Sequence, residues 1–349
     1  MAALRDNAVT LRDRTNARLI PMVKANAYGL GAVGVVAALE RLDPLAYGVA
    51  TVAEGEELRA AGIERGVILF SPVLPEEFDR ARRARLTPTL SDEASIADWS
   101  GTGLPYHLSI DTGMSRAGVP WREVGRIKDA VNEWPPEGAF THFHSAGSDG
   151  GSSAEQNERF RVALAELGTT IPLIHVSNSA ASALGLEAMP YCNAVRPGIF
   201  MYGAGPDYGQ PMRHVVNLRA RVVETRWIGA GDSVSYEATY TAPGRQRIAT
   251  VAAGYADGYP RSCSGRSWAV LNGHRITQRG LVTMDLTMFD VTDVACEIGD
   301  VVTLIGDEAV GGLSVNRAAE LADMSPYELL TGFGSRVTRR FMDTERMDG

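Results

Sequence analysis

The sequence predicts an α/β protein: an N-terminal (β/α)8 TIM-type barrel followed by a mostly β C-terminal domain. Three observations carry this. Eight short apolar runs alternate with amphipathic runs over the first two-thirds of the chain, the pattern of a closed parallel barrel. No GxGxxG follows the first run, which disfavours an open dinucleotide-binding sheet. Near residue 215 the alternation gives way to strand-length pieces separated by turn signals. At 349 residues the chain has room for two domains, and the pattern divides it into 1–214 and 215–349.

The expected barrel strands are 19–25, 47–50, 67–70, 86–90, 106–111, 138–143, 172–177 and 193–196. Each is a short apolar run, as strands buried on both faces require. The amphipathic runs between them predict helices over 31–42, 52–61, 76–85, 121–134 and 154–167. In the second domain, 215–227, 233–240, 247–253, 267–271, 280–291 and 300–305 read as strands. Gly229-Ala230-Gly231-Asp232, Pro243-Gly244 and Asn272-Gly273 supply turns between them. Two late helices follow, 315–324 and 325–332, the second capped by Ser325 with Pro326 in its first turn.

Composition excludes several function classes. The net charge is −8 and no basic block occurs, so no nucleic-acid partner is expected. No apolar run approaches the roughly 18 residues of a membrane helix, so no membrane association is expected. Cys192, Cys263 and Cys296 are odd in number and lack CxxC spacing. They read as reduced thiols, not as a disulfide framework or zinc ligands, and no metal site is expected. The first residues contain no apolar h-region, so a secretory signal is not expected and a cytoplasmic location is.

The chemistry begins at Lys24. Only two of the 34 basic residues are lysines, Lys24 and Lys128. Lys128 sits in a stretch that reads as the wet face of a helix. Lys24 sits in the apolar run Leu19-Ile20-Pro21-Met22-Val23-Lys24. A chain that uses arginine for surface charge has another reason for a lysine there. Burial lowers an amine's pKa, and a neutral amine can attack a carbonyl to form a Schiff base. Other polar residues gather at the same ends of the expected strands: Tyr28, Asp111 to Arg116, His142, His144, His175, Asn178, Ser179, Arg196 and Gly198. In barrels of this type, functional groups sit on that rim. Alone, His175 reads equally as a hydrogen-bonded core histidine, and Asn178-Ser179 as a helix cap. Ser177-Asn178-Ser179 and Arg196-Pro197-Gly198-Ile199 follow the last two barrel strands, both opening toward expected helix starts suited to a phosphate. A Schiff-base lysine with a phosphate cradle on one rim implies pyridoxal 5′-phosphate.

The motifs Val23-Lys24-Ala25-Asn26-Ala27-Tyr28-Gly29, Asp111-Thr112-Gly113-Met114-Ser115-Arg116-Ala117-Gly118, Asn178-Ser179-Ala180 and Arg196-Pro197-Gly198-Ile199 occur in order. They continue with Val234-Ser235-Tyr236, Gly254-Tyr255-Ala256-Asp257-Gly258 and Met284-Asp285. Together they resemble the alanine racemases, fold-type III pyridoxal-phosphate enzymes, over nearly the whole chain. The resemblance implies an isomerase interconverting L- and D-alanine, which supplies D-alanine for cell-wall biogenesis. It implies that Lys24 carries the Schiff base and acts as one base. Tyr236 would act as the opposite-face base across a homodimer interface, Arg196 would bond the pyridine nitrogen, and His175 would contact Arg196. His142 would lie beside the ring. Arg116 would bind near the ring hydroxyl and the substrate carboxylate. Tyr28, Asn178, Ser179, Gly198 and Ile199 would hold the cofactor, mainly at its phosphate. Met284 would contact the substrate carboxylate, and Tyr255 with Arg261 would line the entrance.

The chain departs from the family pattern at several positions. Leu30 stands where histidine is usual. Ser109 replaces a lysine that is often carbamylated and orients the arginine at position 116. Glu237 sets a carboxylate beside Tyr236, where glycine is common. Leu281 and Thr283 replace arginine and cysteine, and Phe341 stands where a phosphate-binding tyrosine is typical. The family's opening strand has no counterpart before residue 1, so an incomplete N-terminus is expected. These departures admit a broad-specificity amino-acid racemase. Other fold-type III enzymes are disfavoured: a decarboxylase by Arg196 at the ring nitrogen, a metal-dependent lyase by the lack of metal-ligand spacing. A non-catalytic pyridoxal-phosphate carrier would lack the second domain.

Overall fold

The computed structural model describes residues 1–147, 150–185 and 192–343. Its first part is a ring of parallel strands: β1 (Arg18–Leu19), β2 (Ala46–Val49), β3 (Gly66–Leu69), β4 (Thr87–Leu90) and β5 (His107–Asp111). A two-residue β6 (Val119–Pro120) pairs on β5 outside the ring, which continues with β7 (Gly138–Phe140), β8 (Leu173–Ile174) and β9 (Ala194–Val195). β1 pairs in parallel with β9. Leu45 N donates to Leu19 O at 2.8 Å and Gly48 N to Pro21 O at 2.9 Å, joining β1 to β2. Asn193 N to Ile174 O at 3.0 Å and Arg196 N to Ser177 O at 2.9 Å join β9 to β8. These seams close the eight-stranded barrel that the alternating runs predict. β2 and β4 are buried along their whole length, which is why those strands read as continuous apolar or small residues.

Some elements differ from expectation. The run 19–25 is paired only at its start, with one further bridge at Met22, because Pro21 has no N–H to give and the chain turns at Lys24. The segment 121–134 is a 3-10 stretch, Trp121–Ile127, running into a short α-helix, Lys128–Glu133. Two helices escaped the periodicity reading. Ala2–Thr15 packs Leu4, Ala8 and Leu11 into the core. Glu93–Ser100 is capped by Asp92, whose Oδ1 accepts from Ser95 N at 2.9 Å.

The second part is a closed antiparallel barrel of six strands: β10 (Leu218–Ile228), β13 (Gln246–Val251), β14 (Trp268–Leu271), β15 (His274–Gln278), β16 (Thr287–Asp290) and β17 (Val301–Ile305). Between β10 and β13, a separate small hairpin pairs β11 (Ser233–Val234) with β12 (Tyr240–Thr241). Asn272 and Gly273 link β14 to β15 with φ of 51° and 79°, the paired left-handed turn that Asn-Gly favours. Segment 233–240 is therefore not one strand: a turn at Tyr236–Ala238 interrupts it. Of 280–291 only the end is strand.

The late helices are Val315–Ala322 and Pro326–Thr331. Ser325 caps the second in a full capping box with Glu328. This helix packs on the turn after Lys24 so closely that a Cβ on Gly29, whose φ is 81°, would sit 2.1 Å from Leu330 O. Arg339 Nη2 also donates to Gly29 O at 2.8 Å. The end of the chain thus braces the lysine-bearing loop of the first barrel.

Candidate active site

Lys24 opens a turn in which Ala25, Asn26, Ala27 and Tyr28 all have positive φ, between 52° and 54°. Each L-residue in that conformation costs about 1–2 kcal/mol, so the turn persists only because its polar groups are held. Glu54 does part of this: Oε1 accepts from Ala25 N at 2.6 Å and Oε2 from Ala50 N at 2.7 Å. Asn26 Oδ1 accepts from Ala32 N at 2.7 Å. The turn aims Lys24 and Tyr28 into a cavity of about 620 Å³ at the C-terminal ends of the barrel strands.

Burial lowers the Lys24 pKa, the Arg116 and Arg196 cations lower it further, and Glu54 opposes them. The amine has no hydrogen-bond acceptor among the described residues. It is the one lysine of the cavity and is poised to give up its proton.

Arg196, only 3% exposed, stands on the same wall. Its Nη1 lies 3.0 Å from His175 Nδ1, and its Nη2 donates to Thr141 O at 2.8 Å and Val176 O at 3.2 Å and lies 3.3 Å from His142 Nδ1. Burial pulls its pKa down to about 9, which leaves the guanidinium charged at neutral pH. Its Nε–H has no acceptor among the described residues. Burial, with Arg196, Arg116 and Lys24 in support, lowers His142 to about 3. Burial followed by His107 and Arg196 holds His175 well below its ordinary value.

Both imidazoles are therefore neutral in the fold and protonate near 6.5 once unfolded. Their folded pKa values are depressed, so the unfolded chain binds more protons as pH falls. Their contribution to stability is whole above about pH 6.5 and is lost as pH drops toward about 3 for His142. The unfolding free energy from urea titration is expected to fall between pH 7 and pH 5, by up to about 1.4 kcal/mol per pH unit for each ring. His142→Gln should flatten that slope when both proteins are titrated side by side.

Opposite Lys24, Ser179 Oγ accepts from Gly198 N at 2.8 Å. A Cβ on Gly198 would lie 2.4 Å from the Tyr28 hydroxyl, so the glycine is what lets that hydroxyl stand there. Asn178 caps helix Ser179–Leu184, accepting from Ala181 N at 3.0 Å. The expected helix start after Gly198 is instead a run of tight turns, with Met201 N bonding Gly198 O and Tyr202 N bonding Ile199 O.

Lys24, Tyr28, Arg116, His142, Asn178, Ser179, Arg196, Gly198 and Ile199 all line this one cavity, and His175 lies directly beneath Arg196. His144 does not join them; its Nδ1 pairs with Ser145 Oγ at 2.6 Å. Tyr236, Tyr255, Met284 and Arg261 lie apart on the second barrel. Tyr236, at the tip of the β11–β12 hairpin, is 69% exposed. Tyr255 N donates to Thr283 O and Ala256 N to Met284 O, each at 3.0 Å, which holds Tyr255 beside the Met284 loop. Glu237 lies 3.5 Å from Arg261, so the carboxylate beside Tyr236 faces a cation.

Two features of the site were not singled out in the sequence. Tyr327 lines the cavity, its ring centroid 6.0 Å from that of Tyr28. Phe341 does not replace a tyrosine there. Its ring lies over Gly31 and Gly34, where added Cβ atoms would come within 2.9 and 2.2 Å of it. Tyr327, from the helix braced on Gly29, instead places a phenol on the cavity wall. Glu54 gave the other signal, a capping glutamate three residues after Thr51, but its reach to Ala25 is a long-range contact.

The model of the alanine racemase N-terminal domain matches residues 1–206, and that of the C-terminal domain matches residues 215–341. An alanine racemase of Citrifermentans bemidjiense is 38% identical, over 97% of this chain and 96% of that protein. One from Symbiobacterium thermophilum is 36% identical over 97% and 94%. Among solved structures, an alanine racemase from Bartonella henselae with covalently bound pyridoxal phosphate superposes with a TM-score of 0.88 at 28% identity, covering 98% of this chain and 97% of that one. Another from Bacillus anthracis with bound L-Ala-P has a TM-score of 0.86 at 29% identity, covering 96% and 92%. With both domain models matched in order across one lysine-bearing cavity, the chain belongs to the alanine racemase family.

Proposed function

We propose that this protein is a pyridoxal 5′-phosphate-dependent racemase that interconverts L- and D-alanine, acts as a homodimer in the cytoplasm, and supplies D-alanine for peptidoglycan. The observation that carries this reading is a lysine amine with a lowered pKa sharing a 620 Å³ cavity with a buried, charged Arg196. The cavity fits the cofactor. The Tyr28 hydroxyl and Ser179 Oγ converge beside Gly198, a donor set for a phosphate, and the free Nε–H of Arg196 suits a ring nitrogen.

When bound, the cofactor supplies a conjugated π system that accepts the electrons left by a broken Cα–H bond. Lys24 Nζ would hold it covalently at rest and, once the substrate amine has displaced it, the freed amine would move a proton on one face of Cα. Arg196, charged at neutral pH, would donate to the ring nitrogen without protonating it, which would keep electron withdrawal modest and limit side reactions. Arg116 would bind the substrate carboxylate near the ring. Tyr28, Asn178, Ser179, Gly198, Ile199 and Tyr327 would hold the phosphate end, and His142 would lie beside the ring.

Inversion without turning the substrate needs a second base on the other face. Among the described residues of the first barrel the cavity's tyrosine is Tyr28, and its burial raises its pKa. Tyr236, exposed on the other barrel, suits delivery into a partner's cavity. Met284 would then meet the substrate carboxylate and Tyr255 the entrance.

Proton NMR of L-alanine and of D-alanine in D2O with the cofactor-loaded protein tests the reading. Loss of the Cα proton with conversion toward equal amounts of both enantiomers is expected from either start. Cofactor binding without exchange would favour a carrier. Exchange faster with serine, lysine or arginine than with alanine would make the enzyme a broad-specificity racemase.

A further inference from the structure

Below the cavity a polar column crosses the interior of the first barrel. Arg196 Nη1 lies 3.0 Å from His175 Nδ1, His175 Nε2 lies 2.8 Å from His107 Nδ1, and His107 Nε2 lies 3.5 Å from Glu137 Oε2. His175 and His107 are 0% and 1% exposed, whereas the Glu137 side chain is 53% exposed. Glu137 directly precedes β7, so it stands at the barrel end opposite the cavity. The column has a built channel. A Cβ on Gly138 would lie 2.8 Å from the His107 ring, so glycine there makes the room. Phe140 stacks on His175 with ring centroids 5.2 Å apart and planes 9° from parallel.

Donor and acceptor chemistry gives the column one direction. An arginine cannot accept a hydrogen bond, so His175 Nδ1 must accept from Arg196. Burial keeps His175 neutral, and its single proton is then on Nε2. That N–H donates to His107 Nδ1. His107 is also held neutral by burial, so its proton is on Nε2, facing a carboxylate that can only accept. All protons point away from the cavity and the line ends on a wet carboxylate. A reversed line would need the guanidinium to accept.

We propose that His107 and Glu137 are positioning residues for the reaction: they lock His175 in the Nε2–H tautomer, and through its bare Nδ1 they hold the Arg196 guanidinium in the cavity wall. This rests on the racemase reading for its catalytic consequence, since Arg196 matters to turnover only if it faces the cofactor ring. The tautomer half does not need that reading: it stands on the column's geometry and burial.

The test combines nitrogen-15 NMR of the histidine side chains with steady-state kinetics on the cofactor-loaded enzyme, for wild type, Glu137→Leu and Glu137→Gln. In wild type, His175 and His107 should each carry the proton on Nε2. In Glu137→Leu the His107 tautomer loses its terminal acceptor and should become mixed, with kcat lowered roughly tenfold and KM nearly unchanged. Glu137→Gln should recover most of the rate, because the amide oxygen still accepts. The fold should survive either change. The Glu137 backbone bonds, N to Tyr106 O at 3.0 Å and O from Leu173 N at 3.2 Å, do not involve the side chain, and thermal melting checks this. A proton on His175 Nδ1 in wild type, or a Glu137→Leu enzyme with wild-type tautomers and kcat, overturns the proposal. A wild-type protein that does not racemise at all defeats the racemase reading instead, and the tautomers then still decide whether the column is directed.

Discussion

Lys24→Ala is expected to lower racemisation in both directions by at least roughly ten-thousandfold. Two functions vanish with one amine. The covalent anchor for the cofactor goes, and so does the proton carrier on one face. The cavity offers no substitute, because Lys24 is its only lysine and the arginines nearby cannot act as neutral nucleophiles. The variant should still fold, since the left-handed turn is held through Glu54, Asn26 and the helix over Gly29, none of which needs the Lys24 side chain. Assays in the presence of a small primary amine separate the two losses: partial recovery of exchange would show that proton transfer, not anchoring alone, has been removed. An enzyme retaining a tenth of its activity would contradict the role given to Lys24.

Tyr236→Phe should behave differently. It removes one proton carrier and leaves the cofactor anchor, so racemisation should fall by about two to four orders of magnitude while cofactor binding stays near wild type. Exchange of the Cα proton with D2O should persist from one enantiomer and nearly vanish from the other, because only one face still has a base. Equal losses from both enantiomers would mean that Tyr236 does not serve a single face. The Glu237–Arg261 pair beside it adds a control: Arg261→Ala leaves that carboxylate uncompensated next to the phenol and should slow the same direction selectively.

How much of this was legible in the sequence differs by residue. Lys24 stood out because the chain uses almost no lysine, and a rare amine in an apolar run has few structural reasons to exist. The barrel was legible because its buried strands are continuous apolar runs and its helices are amphipathic. The left-handed turn was not: Ala-Asn-Ala-Tyr contains no glycine, and the contacts that hold it come from Glu54 and residues after 326. Tyr327 was hidden for the same reason, reading as an ordinary residue of a capped helix until that helix is packed on Gly29. His107 sits in His-Leu-Ser-Ile-Asp, where strand periodicity puts it on the same face as Ser109 and Asp111; that alternation, with Gly138 on the neighbouring strand, was the available signal. Tyr236 by itself reads as an exposed strand tyrosine. Only the resemblance gives it a role, because no local pattern around Tyr236 points to chemistry.

The central claim is that a working site takes Lys24 from one subunit and Tyr236 from the other. Mixing Lys24→Ala with Tyr236→Phe protein, after reversible dissociation, tests it most directly. Each parent is nearly inactive, but a mixed dimer has one site with both groups intact, so random reassociation should restore about a quarter of wild-type activity. Activity equal to the sum of the two parents, with mixed dimers present by mass, would contradict the account.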